Sequence, residues 1–324
     1  MRKLLLSTTA IIAAGAISSA AVADVSISGA YKFSYQNQDS GINTVGESGD
    51  RMWSESTIKM KFSNKTESGL DISLATALVS QGEDNSDGNL LADNHSLTIA
   101  GGFGTIQLGS AGGVGDKMTR TAHDILGTPD GLTGDLTSFH KSAGTGNLSD
   151  DNADLGKDID DQANITYILP TMGGLSAGVT IRDGGATTAQ NDDETEMGAK
   201  YTFTSGDVTG VLHYGANSQD GTTAGATGLD SSSMGIDLTM GNIRAVYAQS
   251  QTDMSATEET EITDFGVNYN FGNGMTLGVV QTAVEENTGG ETLDVTTVGA
   301  SYTIASGLTA SLTYHDYDYE NGLS

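Results

Sequence analysis

Long and short connections alternate without a break along this chain, between segments that read as β-strands. The segments are marked by period-two patterning. In the first, Val25, Ile27, Tyr31, Phe33 and Tyr35 alternate with Ser26, Ser28, Ala30, Lys32 and Ser34. In the second, Ile58, Met60 and Phe62 alternate with Thr57, Lys59, Lys61 and Ser63. The third sets Leu70, Ile72, Leu74 and Leu78 against Asp71, Ser73, Ala75 and Ala77. Each pattern gives one apolar and one polar face. Later segments of the same kind bring the number to fifteen. Long connections at 36–50, 81–93, 111–161, 184–194, 218–231, 252–261 and 285–292 interleave with tight ones at 64–69, 101–102, 170–174, 205–206, 241–242, 272–274 and 306–307. A soluble sandwich has no reason to sort loop length by parity. An antiparallel meander that crosses a membrane, with tight turns on one side and long loops on the other, does. Segment lengths fit the roughly 9–11 residues of a tilted membrane-spanning strand.

Composition then removes several function classes. With 42 acidic residues against 14 basic ones the formal charge is −28, which excludes nucleic acid as a partner. The absence of cysteine excludes disulfide scaffolds and thiolate zinc sites. Only 36% of residues are hydrophobic, which taken alone suggests disorder. A wall with one face in lipid and one in water needs no more than that. Tyr35, Phe103, Tyr167, Tyr201, Phe203, Phe271 and Tyr319 stand near segment ends, where interfacial girdles place aromatic rings; β-propensity also enriches rings in strands.

Residues 1–23 have the layout of a signal peptide. Arg2 and Lys3 precede an apolar stretch from Leu4 to Ala16, and Ala21-Val22-Ala23 offers a cleavage site before Asp24. The other reading, a transmembrane helix, fails on the short apolar core. No later stretch approaches about 18 uninterrupted apolar residues. The expected product is an exported chain, 24–324, either soluble outside the inner membrane or a β-barrel in the outer membrane.

The stretch Gly101-Gly102-Phe103-Gly104-Thr105-Ile106-Gln107-Leu108-Gly109 and the stretch Asp161-Gln162-Ala163-Asn164-Ile165-Thr166-Tyr167 sharpen this. With them the chain resembles the general diffusion porins of Gram-negative bacteria, of the alphaproteobacterial type. The first stretch is similar to the family's turn into the fifth strand, the second to its sixth strand. The resemblance implies an all-β transmembrane antiparallel barrel of the sixteen-stranded type, a homotrimer, and passive passage of small hydrophilic solutes. It also implies that the long third loop, 111–161, folds into the lumen and narrows it. Two features depart from the family. No Pro-Glu-Phe-like signature occurs in 111–161, and the chain stops at Asn321-Gly322-Leu323-Ser324, in the place of an eighth long loop. Strand parity agrees with the second departure, because a barrel whose termini share one side needs an even number. Fifteen strands are therefore expected here, with the closing strand after Ser324.

Basic residues within strands suggest a mechanism. Lys32, Lys59, Lys61, Arg182, Lys200 and Arg244 all fall on the polar phase, expected to be the pore wall. A basic side chain on the lipid face would cost about 2–4 kcal/mol at midplane, so lumen placement follows from avoidance of lipid alone. Lys32, Lys59 and Lys61 lie on neighbouring strands and form a candidate basic patch. The third loop supplies the candidate constriction acids Asp116, Asp124, Asp130 and Asp135, then Asp150, Asp151, Asp154, Asp158, Asp160 and Asp161. A basic wall facing an acidic loop would set a transverse field that favours polar solutes. The cluster from Asp150 is also readable as a solvated loop surface. A divalent-cation site near Asp150, Asp151 and Asp154 is a third reading, with Ca²⁺ bridging outer loops to the phosphates of lipid or lipopolysaccharide. Its spacing matches neither an EF-hand nor a glycine-rich calcium repeat.

No catalytic constellation emerges. His95, His123, His140, His213 and His315 are scattered, and His213 and His315 are expected to be solvated in the lumen. Gly112-Gly113-Val114-Gly115-Asp116-Lys117 superficially suggests a phosphate loop but lacks its spacing. The leading expectation is a cation-preferring diffusion channel without enzymatic activity or cofactor. A substrate-selective channel of the same fold and a secreted acidic β-rich adhesin are the alternatives.

Overall fold

The computed structural model describes residues 24–38, 49–82, 91–126, 153, 155, 163–183, 193–219, 229–255, 258–287 and 292–320. Among the described residues there are fifteen strands, as the patterning predicts. They fall in two compact units. The first unit contains β1 (Asp24–Gln38), β2 (Gly49–Lys65), β3 (Asp71–Gly82), β4 (Leu91–Gly101) and β5 (Gly104–Gly109). Strand β6 (Asn164–Ile168) gives its residues from Thr166 on to the second unit. There it joins β7 (Leu175–Arg182), β8 (Glu194–Ser205), β9 (Val208–Gln219), β10 (Leu229–Met240) and β11 (Ile243–Ser255). The unit continues through β12 (Glu258–Asn270), β13 (Met275–Glu286), β14 (Thr292–Ala305) and β15 (Leu308–Glu320). Within each unit, chain neighbours are sheet neighbours.

The first unit is pinned by its ladders and turns. Antiparallel pairing runs from β2 to β5, with one irregularity at Thr76/Ala77. At the β2–β3 turn the Thr66 hydroxyl accepts the Leu70 N–H at 2.9 Å, and Thr66 O accepts the Gly69 N–H. At the end of β5, Gly109 has φ +137°, and a Cβ there would stand 2.1 Å from the His95 carbonyl oxygen. No side chain fits. The glycine lets β5 leave the sheet against β4, with Ser110 N–H donating to the same carbonyl at 2.8 Å.

In the second unit, β7 to β15 pair antiparallel in order. Several strands run further than their alternation. Strand β12 pairs Glu259 with Asp253 and Thr260 with Thr252, well before its apolar alternation begins at Ile262. Ladder hydrogen bonds need only backbone, so pairing continues where the apolar alternation has gone.

The two faces of this sheet differ sharply. Met197, Tyr214, Met234, Tyr247, Phe265, Val279, Val298 and Leu312 share one face and are exposed. Their strand neighbours Glu196, His213, Ser233, Val246, Asp264, Val280 and Thr297 point the other way and are buried. Leaving each such apolar side chain in water forgoes about 1.5–3 kcal/mol, so the exposed face belongs in lipid. None of the described helices is long and apolar enough to cross a membrane.

Candidate functional site

What covers the buried face of the second unit is the third loop. It contributes α1 (Val114–Met118), a 3-10 helix (Ala122–Ile125), and the residues Ala153 and Leu155. Helix α1 starts with backbone N–H groups that have no partner inside so short a helix. The Val114 N–H donates to Thr180 Oγ1 at 2.8 Å, and that hydroxyl also meets Thr166 Oγ1 at 2.8 Å. The Gly115 N–H donates to Glu196 Oε2 at 3.0 Å. Glu196 is fully buried, so the contact is a charge-assisted bond away from water. A Cβ at position 113 would stand 2.0 Å from that oxygen, and one at 115 would stand 2.4 Å from Leu155. The glycine run rejected above as a phosphate loop therefore does admit an anion, the carboxylate of Glu196 in the same chain. At the other end of α1, the Lys200 ammonium donates to Lys117 O at 2.9 Å, the favourable sign for a helix C-terminus. Lys117 turns back to donate to the carbonyls of Gly112 and Gly113.

The 3-10 helix is held differently. Its start is a capping box between Thr121 and Asp124, with the Thr121 N–H donating to Asp124 Oδ2 at 3.3 Å. Ala122, Ile125 and Leu126 are buried in a cluster with Val246 and Val280. Ala153 joins a second cluster with Ala248, Ile262, Val284, Leu293 and Val295. Between these clusters lies a fully buried carboxylate, Asp264. It accepts from Thr282 Oγ1 at 2.7 Å and from the Ala153 N–H at 2.8 Å. Ser233 Oγ donates to Ala153 O at 2.8 Å. The loop is thus tied at Ala153 to a carboxylate on β12.

His123 completes this network, with Nε2 2.9 Å from Thr282 Oγ1. Thr282 has one hydroxyl proton and gives it to Asp264, so the imidazole must be the donor. Nδ1 then carries no proton in the neutral ring, and it has no partner in its buried position. Burial lowers the His123 pKa from its ordinary value, while the charges of Asp264 and Asp124 oppose the shift less strongly. The 3.8 Å separation between Nε2 and Asp264 is consequently not that of a charged pair.

The candidate residues fall into several groups. Asp116 and Asp124 are exposed on the two short loop helices. Asp130, Asp135, Asp150, Asp151 and Asp154 lie outside the described residues, as do Asp158, Asp160 and Asp161. In the first unit, Lys59 and Lys61 are exposed on β2, and Lys32 pairs with Glu55 at 3.3 Å. In the second unit, Arg182 is buried and its charge is matched by Glu194, which accepts from Nε at 2.8 Å. Arg244 grips both oxygens of Asp237 at 3.0 and 2.9 Å and donates to Asp124 O at 3.1 Å. Lys200 caps α1. Contrary to the solvated placement expected of it, His213 is 5% exposed. Among the described residues no group of three His, Asp or Glu side chains is placed to hold a metal.

Glu194, Glu196, Asp237, Asp264 and Arg120 did not stand out in the sequence. The four acids sit on the polar phase of their strands, which was visible. Glu196 and Asp264 are met by loop groups distant in sequence, and Glu194 and Asp237 by arginines on a neighbouring strand, which was not.

The pattern of the Gram-negative porin family matches residues 7–323. Among curated proteins no sequence matches the chain. Solved structures similar in fold include a porin refined at 1.8 Å, 15% identical, with TM-score 0.60 over 92% of this chain and 96% of that one. A triple mutant of the Rhodopseudomonas blastica porin is 12% identical, with TM-score 0.65 over 90% of this chain and 94% of that one. The anion-selective porin from Comamonas acidovorans is 14% identical, with TM-score 0.58 over 87% and 85%. At these identities the likeness carries the fold and nothing finer. Family pattern, fold and the lipid-facing apolar side chains agree: the chain belongs to the Gram-negative porin family of outer-membrane β-barrel channels, which are not enzymes.

Proposed function

We propose that this porin passes ions and small hydrophilic solutes by passive diffusion, that it prefers cations, and that its third loop narrows the channel. One observation carries the reading. The loop segment 112–126 packs on the face opposite the apolar band and keeps Asp116 and Asp124 exposed there. A carboxylate in a narrow, partly desolvated passage raises local cation concentration. Because the fold also hosts an anion-selective porin in Comamonas acidovorans, the sign of the preference has to come from this chain's own residues. Its 42 acids against 14 bases favour cations. Lys59 and Lys61 add exposed positive charge to the polar face of the first unit. Export through cleavage after Ala23 and assembly as a homotrimer belong to the same proposal, supported by the N-terminal pattern and by the family.

A reversal potential measured across a planar bilayer in a KCl gradient tests the preference. Cation-selective sign is expected, and the cation-to-anion ratio falls at least about twofold in Asp116→Asn/Asp124→Asn. Anion-selective sign in the unaltered channel overturns the preference and leaves the channel itself standing.

A further inference from the structure

In a chain with three acids for every base, basic side chains are expected to find acidic partners. Arg182 and Arg244 do so. Arg120 and Lys200 do not: among the described residues neither has a carboxylate within ion-pair distance. Instead they are placed near one another. Arg120 follows α1 on the loop beside Thr119, which packs against Gly215 of β9, while Lys200 of β8 reaches Lys117 O at 2.9 Å, three residues before Arg120, and pairs in register with His213. Among the described residues, the nearby carboxylates are already committed. Asp237 is gripped by Arg244, and Glu196 is consumed by the start of α1.

Two like charges held together repel, and the arrangement persists against that cost. Both groups also keep donors in hand. Lys200 uses one N–H on Lys117 O, and Arg120 uses one of five on Thr119 O at 2.8 Å. Both are partly exposed, so an ion reaching this face can meet them. A planar guanidinium fork beside an ammonium matches an oxyanion, two oxygens on the fork and one on the point charge.

We propose that Arg120 and Lys200 form a docking step for an oxyanion, the carboxylate or phosphate group of a permeating solute. The step rests on the channel reading above, with the loop inside the channel. It gives a cation-preferring pore one local position where a multivalent anion pauses. Selectivity for small ions and retention of oxyanions then come from different residues.

Single-channel current in KCl, with inorganic phosphate or succinate added on one side, tests this. Both are expected to reduce the current at concentrations where extra chloride does not; block by phosphate alone or succinate alone narrows the site to that group. In Arg120→Gln/Lys200→Gln the half-blocking concentration rises about tenfold or more. Arg120→Lys keeps the charge and loses the fork, and falls between. The charge-matched pair Lys59→Gln/Lys61→Gln shifts the half-block by less. Equal relief by that pair, or an unchanged half-block in Arg120→Gln/Lys200→Gln, overturns the site. Migration in unheated detergent gels confirms that each variant is folded; if the double variant is not, Arg120→Lys and Lys200→Arg carry the test, and unchanged half-block in both overturns it. Absence of any current from the unaltered protein would overturn the channel reading itself, whereas a cation-selective current indifferent to both oxyanions removes only the docking step.

Discussion

The loop is fastened to the second unit at two places by two different kinds of force. At α1 the fastening is a backbone N–H on a carboxylate, admitted by glycines at 113 and 115, with the Lys200 ammonium closing the other end. At the 3-10 helix it is burial, with Ile125 and Leu126 at 1% exposure and Asp264 at none. The first fastening is local, with the Val114 and Gly115 N–H groups each meeting one acceptor. The second is cooperative, since Asp264 answers donors from Ala153 and Thr282 at once, and Thr282 in turn meets His123. Losing one group at α1 disturbs one contact. Losing Asp264 orphans two buried donors.

That contrast is broken most directly at Asp264. Asp264→Ala is expected to loosen the 3-10 fastening by about 3–5 kcal/mol, because each donor left buried without a partner is penalised. Hydrogen exchange of 120–126 should rise strongly while that of 112–118 changes little. Similar protection of both segments in the variant would mean that the two fastenings are one. Leu126→Ala comes next, at about 2–4 kcal/mol for a buried leucine. Leu126 lies against Gly278 and Gly299, where an added Cβ would stand 3.0 Å from its Cδ2. The effect should again be confined to 120–126.

At α1 the expected losses are smaller. Gly113→Ala sets a methyl on Glu196 Oε2 and should cost about 1–3 kcal/mol. Because the clash is with that one carboxylate, Gly113→Ala/Glu196→Ala should lose less than the two single losses added. Exchange of 112–118 reads this directly. Strict additivity would show that the glycine is not there for the carboxylate.

The fold was legible because membrane strands must alternate and because loop length followed parity. Both signals are local in sequence. The face of each strand was legible for the same reason, and it put Lys200 and Arg244 on the buried side. What escaped was pairing across the chain. Arg182 and Arg244 looked like open charges on a pore wall, and their answering acids, Glu194 and Asp237, are on the neighbouring strand. Gly112–Gly115 looked like a failed phosphate loop, because nothing local shows that a carboxylate from β8 enters it. His123 looked like one of five scattered histidines. Its place between two apolar clusters depends on Ile125 and Leu126 docking first, and the sequence alone does not say where they dock.

The smallest expected effect is the one that acidification has on the second fastening. His123 has its pKa lowered by burial, so the anchored loop holds it neutral. Above the ordinary histidine value, near pH 6.5, both the anchored and the released loop are neutral and the fastening is at full strength. As pH falls below that value the released loop takes up a proton and the anchored loop does not, so acid favours release. The loss is complete only below the lowered pKa of the anchored state. Asp264 and Asp124 soften this by attracting the proton, which is why the effect ranks last. Protonation would also put an N–H on Nδ1, where no acceptor waits. Exchange of 120–126 should therefore quicken between pH 7.5 and pH 5.5 beyond its intrinsic pH dependence, and that of 112–118 should not. In His123→Gln the amide can still donate to Thr282 but cannot titrate, so the acid response of 120–126 should flatten. An acid response that survives this substitution would move the titrating group away from His123 and leave the second fastening with no pH sensor of its own.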